Sequence, residues 1–345
     1  MRLLITTQAV DLNDPALGFF HLWIEALAKE CEQVHVICLK EGIHRLPQNV
    51  SVHSLGKETG RSRLKYVWRF YRILYALRKD YDAVFVHMNS EYVVLGGLFW
   101  RQWGKHIVLW RNHRLKGFST WLAVHMADTV LYTSPSAYVA RFGNAKRMPI
   151  GIDTETFAPA GTRAPDNSIL FFGRLDEVKH PDVFVAALGK LYERGTSFSA
   201  DIVGDPTHAG SLYAQTIHKA AGNLTRADVL QMRPSIANAD APELFRSHAI
   251  YVNLTPSGSF DKTIGEAASC GSIIVAANEV LRGILPDALI VDQLSAESVA
   301  RGIEAALKLS ADERTTLSRT LREYVVREHS LSLLARRLMG ILTPH

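Results

Sequence analysis

Cysteine is scarce in this sequence: it has three among 345 residues, none of them spaced as a CxxC pair. So few thiols exclude a disulfide-stapled scaffold and favour a reducing compartment with buried, inert cysteines. An uncharged apolar run of about 18 residues, the length that spans a bilayer, is also missing. The N-terminal stretch MRLLITTQAVDLND has too short an apolar run for a signal peptide and predicts a first β-strand. These features predict a cytoplasmic protein.

Motifs of several functional classes are missing too. There is no HExxH, no Cys/His cluster and no Asp-x-Asp placed to bridge a diphosphate, so we predict no metal and no other cofactor. No GxGxxG follows the first strand, which disfavours a dehydrogenase. No groove-reading motif accompanies the basic residues, so nucleic acid is not a predicted partner.

Charge is distributed unevenly along the chain. Residues 1–150 carry 20 Lys and Arg against 11 Asp and Glu, whereas residues 151–345 carry 19 against 23. A basic first half predicts an anionic surface or substrate for that half alone.

Short β-rich runs alternate with helical patterns through the whole chain. The runs are nearly continuous in Val, Ile, Leu and Phe, which is typical of parallel strands that helical crossovers bury on both faces. The last predicted strand is ALIV, at residues 288–291. Residues 146–168 hold three prolines and two glycines without helical periodicity, and predict a junction. We therefore predict two doubly wound Rossmann-like α/β domains, residues 1–150 and 151–327, with amphipathic residues 328–345 a candidate to return to the first.

Two cations lie in the short loop FFGRLDEVKHPD, between the strand SILFFG and a helix-starting proline. Arg174 and Lys179 together suit a diphosphate, including one whose charge rises as its bond to a sugar breaks. Gly173 before them permits a tight turn. The alternative is a solvated loop in which Asp176 and Glu177 neutralise the loop's own bases.

A second polar loop, TPSGSFDKTIGEAASCG at residues 255–271, follows the strand AIYVNL and enters a small-residue helix. Free N–H groups near Lys262 and Thr263 are expected to face the carboxyl edge of the sheet and to bind an anion. One turn further, Glu266 is placed to hold two neighbouring hydroxyls, such as a ribose diol. The alternative is an acid favoured there by the helix dipole.

These segments resemble the retaining GT-B glycosyltransferases, and most closely family 4, the "glycosyl transferases group 1" type. The resemblance rests on the following stretches: VDLNDPALGFFHLWIEALAKECEQVHVICL, PIGIDTETFAP, ILFFGRLDEVKHPD, SADIVGDP and IYVNLTPSGSFDKTIGEAASCG. It covers nearly the whole chain. It implies the GT-B fold, two Rossmann-like domains facing across a cleft, with the acceptor on the first domain and a nucleotide-sugar donor on the second.

The resemblance also implies roles for particular residues. Arg174 and Lys179 match the clamp on the donor diphosphate, and Glu266 matches the second glutamate of the Glu-x7-Glu motif, which holds the nucleotide ribose. His113, after a strand of the first domain, resembles a cleft histidine near the donor sugar, although a lone histidine is more often structural. The other implied donor-binding positions are Gly18, Gly173, Ser259, Phe260, Asp261, Lys262 and Thr263.

Two positions depart from the family pattern. Gly258 stands where the first glutamate of the motif is expected, so the usual contact to the donor sugar is in doubt, with Asp261 and Lys262 as candidate replacements. Ile150 stands where the family usually has an asparagine before Gly-Ile-Asp.

A basic amphipathic helix is predicted at residues 61–79. Packing of its apolar face in the core, with a solvated basic face, is the default interpretation; contact with an anionic membrane surface is the alternative.

We therefore predict a retaining, metal-independent hexosyltransferase (EC 2.4 class) of polysaccharide biosynthesis. It would move a hexose from a UDP- or GDP-sugar to a hydroxyl of a cell-surface glycan or glycolipid, in the cytoplasm and peripherally at the inner membrane face. Two alternatives stay open: a nucleotide-sugar 2-epimerase of the same fold, and a catalytically degenerate nucleotide-binding member, which Gly258 favours.

Overall fold

The computed structural model describes residues 1–14, 17–60, 62–161, 164–256 and 260–343. The chain divides into two compact units: Met1–Gly151 together with Leu331–His345, and Ile152–Ser330.

Within the described residues, the first unit contains a seven-stranded parallel sheet in the order β3-β2-β1-β4-β5-β6-β7. The strands are β1 (Arg2–Val10), β2 (Gln33–Glu41), β3 (Val50–Ser54), β4 (Ala83–His87), β5 (His106–Trp110), β6 (Thr129–Tyr132) and β7 (Ala145–Arg147). The helices between them are α1 (Phe20–Ala28), α2 (Arg63–Ala76), α3 (Ser90–Gln102) and α4 (Phe118–Met126). One core lies between the sheet and α1, and a second lies between the other face and α2, α3 and α4. Both faces are therefore buried, as the continuous apolar strands require.

The second unit has a five-stranded parallel sheet among its described residues, in the order β10-β9-β8-β11-β12. Its strands are β8 (Ser168–Phe172), β9 (Ser199–Val203), β10 (Leu230–Arg233), β11 (Ile250–Asn253) and β12 (Ile273–Ala276). Its helices are α5 (Pro181–Glu193), α6 (Leu212–Arg226), α7 (Ala241–Arg246), α8 (Lys262–Cys270), α9 (Ala296–Leu307) and α10 (Ala311–His329). The strand order reverses between β8 and β11, and the carboxyl ends at such a switch point are where open α/β sheets bind ligands.

The C-terminal helix α11 (Leu331–Leu342) packs on the first unit, where its Leu334 and Leu338 join the core under α1. Residues 328–330, which the sequence grouped with this segment, lie in the second unit instead. The reason is that α10 continues to His329, and Ser330 then pairs with Ile152 in an isolated β-bridge.

Three local differences separate this structure from the sequence prediction. The predicted strand ALIV is wrong: Asp287–Leu289 form a 3₁₀ turn, and Ile290 makes only an isolated bridge to Ala276. Strands β3 and β7 were not predicted, because they are edge strands whose residues are mostly half-buried or exposed and so lack a continuous apolar run.

Among the described residues, no helix is both long enough and apolar enough to cross a membrane.

Candidate functional site

The turn after β8 is built by two glycines that lie against each other. Gly173 has φ +154° and Gly204, which follows the neighbouring strand β9, has φ +155°. A Cβ atom added to Gly204 would lie 1.9 Å from the backbone oxygen of Gly173. Both positions therefore require glycine, Gly204 through close backbone approach. Gly173 was predicted from the sequence, whereas Gly204 was not; its signal was its place at the end of SADIVG.

Arg174 points from this turn into solvent, with 61% of its side chain exposed. Its Nη1 lies 3.3 Å from Oδ2 of Asp176 and donates a hydrogen bond of 3.2 Å to Oγ1 of Thr207. Burial raises the pKa of the Asp176 carboxyl, but hydrogen bonds from Thr207 and the charge of Arg174 outweigh it and lower that pKa below its usual value. For this cation the solvated-loop interpretation describes the contacts correctly, since the loop's own acid is its partner.

Lys179 behaves differently. Its side chain is only 19% exposed, and its Nζ donates to the carboxylate of Asp261 and, at 3.1 Å, to Oγ1 of Thr255. Both partners come from the loop after β11, far along the chain. The ammonium thus joins the two loops on either side of the switch point.

The Asp261 carboxylate is the centre of this group. Besides Lys179, it accepts hydrogen bonds from Nδ2 of Asn253 at 3.1 Å and from Oγ1 of Thr255 at 3.1 Å. Burial by itself would raise the pKa of Asp261, but the charge of Lys179 and these hydrogen bonds outweigh it and lower the pKa to about 2. Asp261 is therefore ionised at neutral pH. Asp261 was predicted as a site residue, whereas Asn253 and Thr255 were not; their only signal is their place at the end of an apolar strand and just after it.

Asp261 is also the N-cap of α8. Its Oδ1 accepts from the backbone N–H of Thr263 at 3.4 Å. The Thr263 N–H, which lies among those expected to bind an anion, is therefore already engaged by a side chain of the protein. The Thr263 hydroxyl accepts from Tyr251, whose phenol oxygen lies 2.7 Å away at the floor of the site.

Glu266 lies one turn into α8 and is 1% exposed. Its carboxylate pairs with the ammonium of Lys262 on the preceding turn. Interaction with the helix dipole alone does not account for this arrangement. Burying a carboxylate without a partner would cost desolvation free energy, and here the ammonium of Lys262 offsets that cost.

Other predicted donor-binding residues fall in different surroundings. The Phe260 ring is buried and packs on the His329 ring, with centroids 4.7 Å apart. Its side chain therefore fills the core next to the site. Ser259 and the departure at Gly258 lie outside the described residues.

Gly18 and His113 belong to the first unit. A Cβ atom on Gly18 would lie 2.8 Å from the backbone oxygen of Asp14, so the tight turn after β1 excludes a larger residue. His113 follows β5 and is exposed, and its Nδ1 accepts from the backbone N–H of Leu115 at 3.1 Å. The second-unit residues Gly173, Lys179, Asp261, Lys262, Thr263 and Glu266 are brought together around β8 and α8; Gly18 and His113 lie on the other sheet.

Another histidine, His87, occupies the switch point of the first sheet and was missed. It ends β4 next to β1, is 2% exposed, and its Nδ1 lies 3.2 Å from Oγ1 of Thr7. The Phe20 ring stacks on it with centroids 3.9 Å apart. Burial lowers the pKa of His87 to about 3, so the imidazole is neutral at physiological pH. Within the described residues, no group of three or more His, Cys, Asp and Glu is placed to hold a metal ion.

Comparison with known proteins finds similarity in the second unit. Residues 166–309 match the family model of glycosyl transferases group 1. A D-inositol 3-phosphate glycosyltransferase of Kineococcus radiotolerans is 28% identical over 144 residues, which are 38% of this chain and 33% of that protein. One from Paenarthrobacter aurescens is 32% identical over 154 residues, 41% of this chain and 37% of that protein. The chain thus matches about a third of the length of these curated relatives.

Solved structures extend the likeness to the whole chain. HepE of Anabaena, in complex with UDP and glucose, is similar with a TM-score of 0.77 and 15% identity, covering 99% of each chain. Sucrose-phosphate synthase of Thermosynechococcus elongatus is similar with a TM-score of 0.75 and 18% identity, covering 99% of this chain and 98% of that one. The predicted fold class, two Rossmann-like parallel-sheet units of the GT-B type, is confirmed.

Proposed function

We propose that this protein is a retaining, metal-independent glycosyltransferase of family 4 that transfers a hexose from a nucleoside diphosphate sugar to a hydroxyl acceptor. The observation that carries the proposal is the arrangement of Lys179, Asp261 and Glu266 around the carboxyl ends of β8 and β11, inside the segment that matches the group 1 family. Donor binding is assigned to the second unit and acceptor binding to the basic first unit.

The donor diphosphate would lie across the loop after β8. Asp261 and Thr255 hold Lys179 in place. Its ammonium therefore needs little rearrangement when negative charge develops on the leaving diphosphate. Arg174 is exposed and can leave Asp176 for phosphate oxygens, which a guanidinium binds in a forked geometry. Together these cations would stabilise the leaving diphosphate without a metal.

Glu266 would hold the ribose of the donor. Its present partner is Lys262, so a ribose diol would have to share or displace that ammonium. The structures of HepE contain UDP and UDP-glucose, which favours a UDP-sugar as the first donor to test.

The proposal predicts that Arg174→Ala lowers turnover by about a hundredfold without unfolding the protein. Arg174 suits this test because its exposed side chain contributes little to the fold.

Glu266→Gln should raise the dissociation constant for UDP by about tenfold, because the neutral amide loses the charge-assisted bonds to the ribose. The matched control is Glu297→Gln, an exposed residue of α9 paired with Arg194. Wild-type turnover and affinity in both test variants would contradict the donor site.

Assays of the same purified protein distinguish the two alternative functions from glycosyl transfer. A 2-epimerase would convert the nucleotide sugar without an acceptor, so product analysis in the absence of acceptor identifies it. A degenerate member would bind UDP, detected as a thermal shift, yet release no UDP from UDP-sugar in any acceptor mixture.

A lipid-linked or otherwise anionic acceptor at the inner membrane face is proposed for the first unit. Helix α2 buries Phe70 and Leu74, but its large hydrophobic residues Leu64, Trp68 and Tyr75 are exposed. The guanidinium of Arg72 lies 5.0 Å from the centre of the exposed Trp68 ring. Aromatic and basic side chains exposed side by side favour binding to anionic lipid.

Vesicle co-sedimentation tests this membrane contact. Changing both Arg69 and Arg72 to Glu should abolish binding to anionic vesicles, while neutral vesicles should bind neither protein. Unchanged binding by the double variant would dismiss the membrane surface.

A further inference from the structure

A cavity of about 400 Å³ lies in the second unit, away from the candidate donor site. Its walls include Ala249 and Ser272, which directly precede β11 and β12, and one face of α10. It therefore lies at the amino ends of these strands, whereas Lys179 and Asp261 lie at the carboxyl ends. A four-residue strand rises about 3.3 Å per residue, so roughly 13 Å of sheet separates the two places.

Arginine dominates the charge of this cavity. Four of its lining residues are arginines: Arg246, Arg314, Arg319 and Arg322. None of the described residues that line it is an aspartate or a glutamate. The lining His248 pairs with the largely buried Asp201, 3.2 Å away. Two of the arginines have an acid at 3.7 Å, Asp166 beside Arg314 and Glu243 beside Arg246, and both of these acids are mostly exposed. Exposed acids at such distances neutralise little charge, so the cavity is cationic.

Two of these guanidinium groups are fixed by backbone oxygens. Arg246 donates to the carbonyls of Ala158 at 2.7 Å and Thr156 at 2.8 Å. Arg322 donates to the carbonyl of Phe157 at 3.0 Å, among others. Carbonyls orient a guanidinium without cancelling its charge, and the group has more N–H donors than these contacts use. The cations are thus preorganised.

Helix α10 brings the other two arginines to the same cavity. Arg314 is buried and donates to the carbonyl of Ala306 at 3.0 Å, whereas Arg319 is exposed at the mouth. In the described part of the chain Arg319 makes no hydrogen bond or ion pair. An exposed cation at the entrance and fixed cations inside suit capture of an anion from solvent.

From this cavity we infer a second anion site that binds the phosphate group of a small molecule. Its volume falls in the range of small-molecule sites, and rigid guanidinium groups match phosphate oxygens through paired N–H bonds. The site is independent of the proposed transfer reaction, because it shares no residue with the donor site.

Isothermal titration at constant ionic strength tests the inference with two probes, inorganic phosphate and glucose 6-phosphate. Arg319→Glu reverses the charge at the mouth, and Thr315→Trp fills the cavity from an exposed lining position. Each variant should weaken phosphate binding by about tenfold or more. Arg327→Ala, on the same helix but outside the cavity, should bind like the wild type.

The outcomes are decisive in each case. Tighter binding of glucose 6-phosphate than of phosphate identifies a phosphorylated metabolite as the ligand; equal or weaker binding identifies free phosphate. No phosphate binding by the wild type, or wild-type binding by both cavity variants, overturns the site. Loss of phosphate binding in Arg174→Ala, a donor-site variant whose exposed side chain contributes little to the fold, would assign the phosphate to the donor site and also overturn it.

Discussion

Removing the ammonium of Lys179 should destabilise the second unit, quite apart from any effect on activity. In Lys179→Ala, the Asp261 carboxylate keeps its bonds from Asn253 and Thr255 but loses the only cation that contacts it among the described residues. Deleting one partner of a buried ion pair costs about 3–5 kcal/mol. Because both side chains keep slight exposure, 19% and 15%, we expect the lower end, about 3 kcal/mol.

Urea unfolding at pH 7 measures this cost, with Arg174→Ala as the matched control. Arg174 lies in the same loop and also pairs with an acid, but it is 61% exposed, so its removal should cost no more than about 0.5 kcal/mol. The double variant Lys179→Ala/Asp261→Asn removes both charges while the amide oxygen can still cap α8. Its stability should recover by about 2 kcal/mol relative to Lys179→Ala.

The pH dependence gives an independent check. In the wild type the pKa of Asp261 is lowered, so its contribution to stability is complete above its ordinary value near 3.8 and is lost as pH falls towards 2. Without Lys179, its charge and hydrogen bond no longer oppose burial, so the pKa of Asp261 rises above its wild-type value. The variant therefore regains stability relative to the wild type as pH falls towards 2. A cost under 1 kcal/mol for Lys179→Ala, with no recovery in the double variant, would refute the reasoning.

Two further predictions follow from close packing and burial. Gly204→Ala should destabilise the protein by about 2 kcal/mol or more, because its Cβ would lie 1.9 Å from the oxygen of Gly173; Gly189→Ala in α5, with no atom within 4 Å, should instead stabilise by about 0.5–1 kcal/mol. Equal unfolding midpoints for the two variants would contradict the geometry. His87 has a lowered pKa, so its contribution is complete above pH 6.5 and is lost as pH falls towards 3. Between pH 7 and 5 the wild type should therefore lose about 2 kcal/mol more than His87→Leu, and parallel stability curves would show that His87 titrates normally.

Much of the fold was predictable because its determinants are local. Continuous apolar strands between helical patterns require parallel sheets covered on both faces, and two sets of them gave two Rossmann-like domains. The edge strands β3 and β7 lack that apolar pattern and were therefore not predicted. The segment ALIV has the pattern but forms only an isolated bridge, so it was predicted wrongly.

The candidate site was predictable in a similar way, since parallel strands bring the loops that follow them to one edge. Gly173, Lys179, Asp261 and Glu266 were all placed there from the sequence. The loop's two cations, however, could not be told apart by their spacing.

The sequence by itself therefore determined which residues stand at the ends of strands, because burial and turn formation act on neighbours along the chain. Only the tertiary structure decided which of them are partners. Arg174 pairs with an acid two residues away in its own loop, while Lys179 reaches Asp261 across the switch point. His87 is neutral because it is buried, with the Phe20 ring stacked on it. Ion pairing and pKa values depend on the distances between groups and on their burial. Both are set by the order of the strands in the folded sheet, which places residues far apart in the chain next to each other.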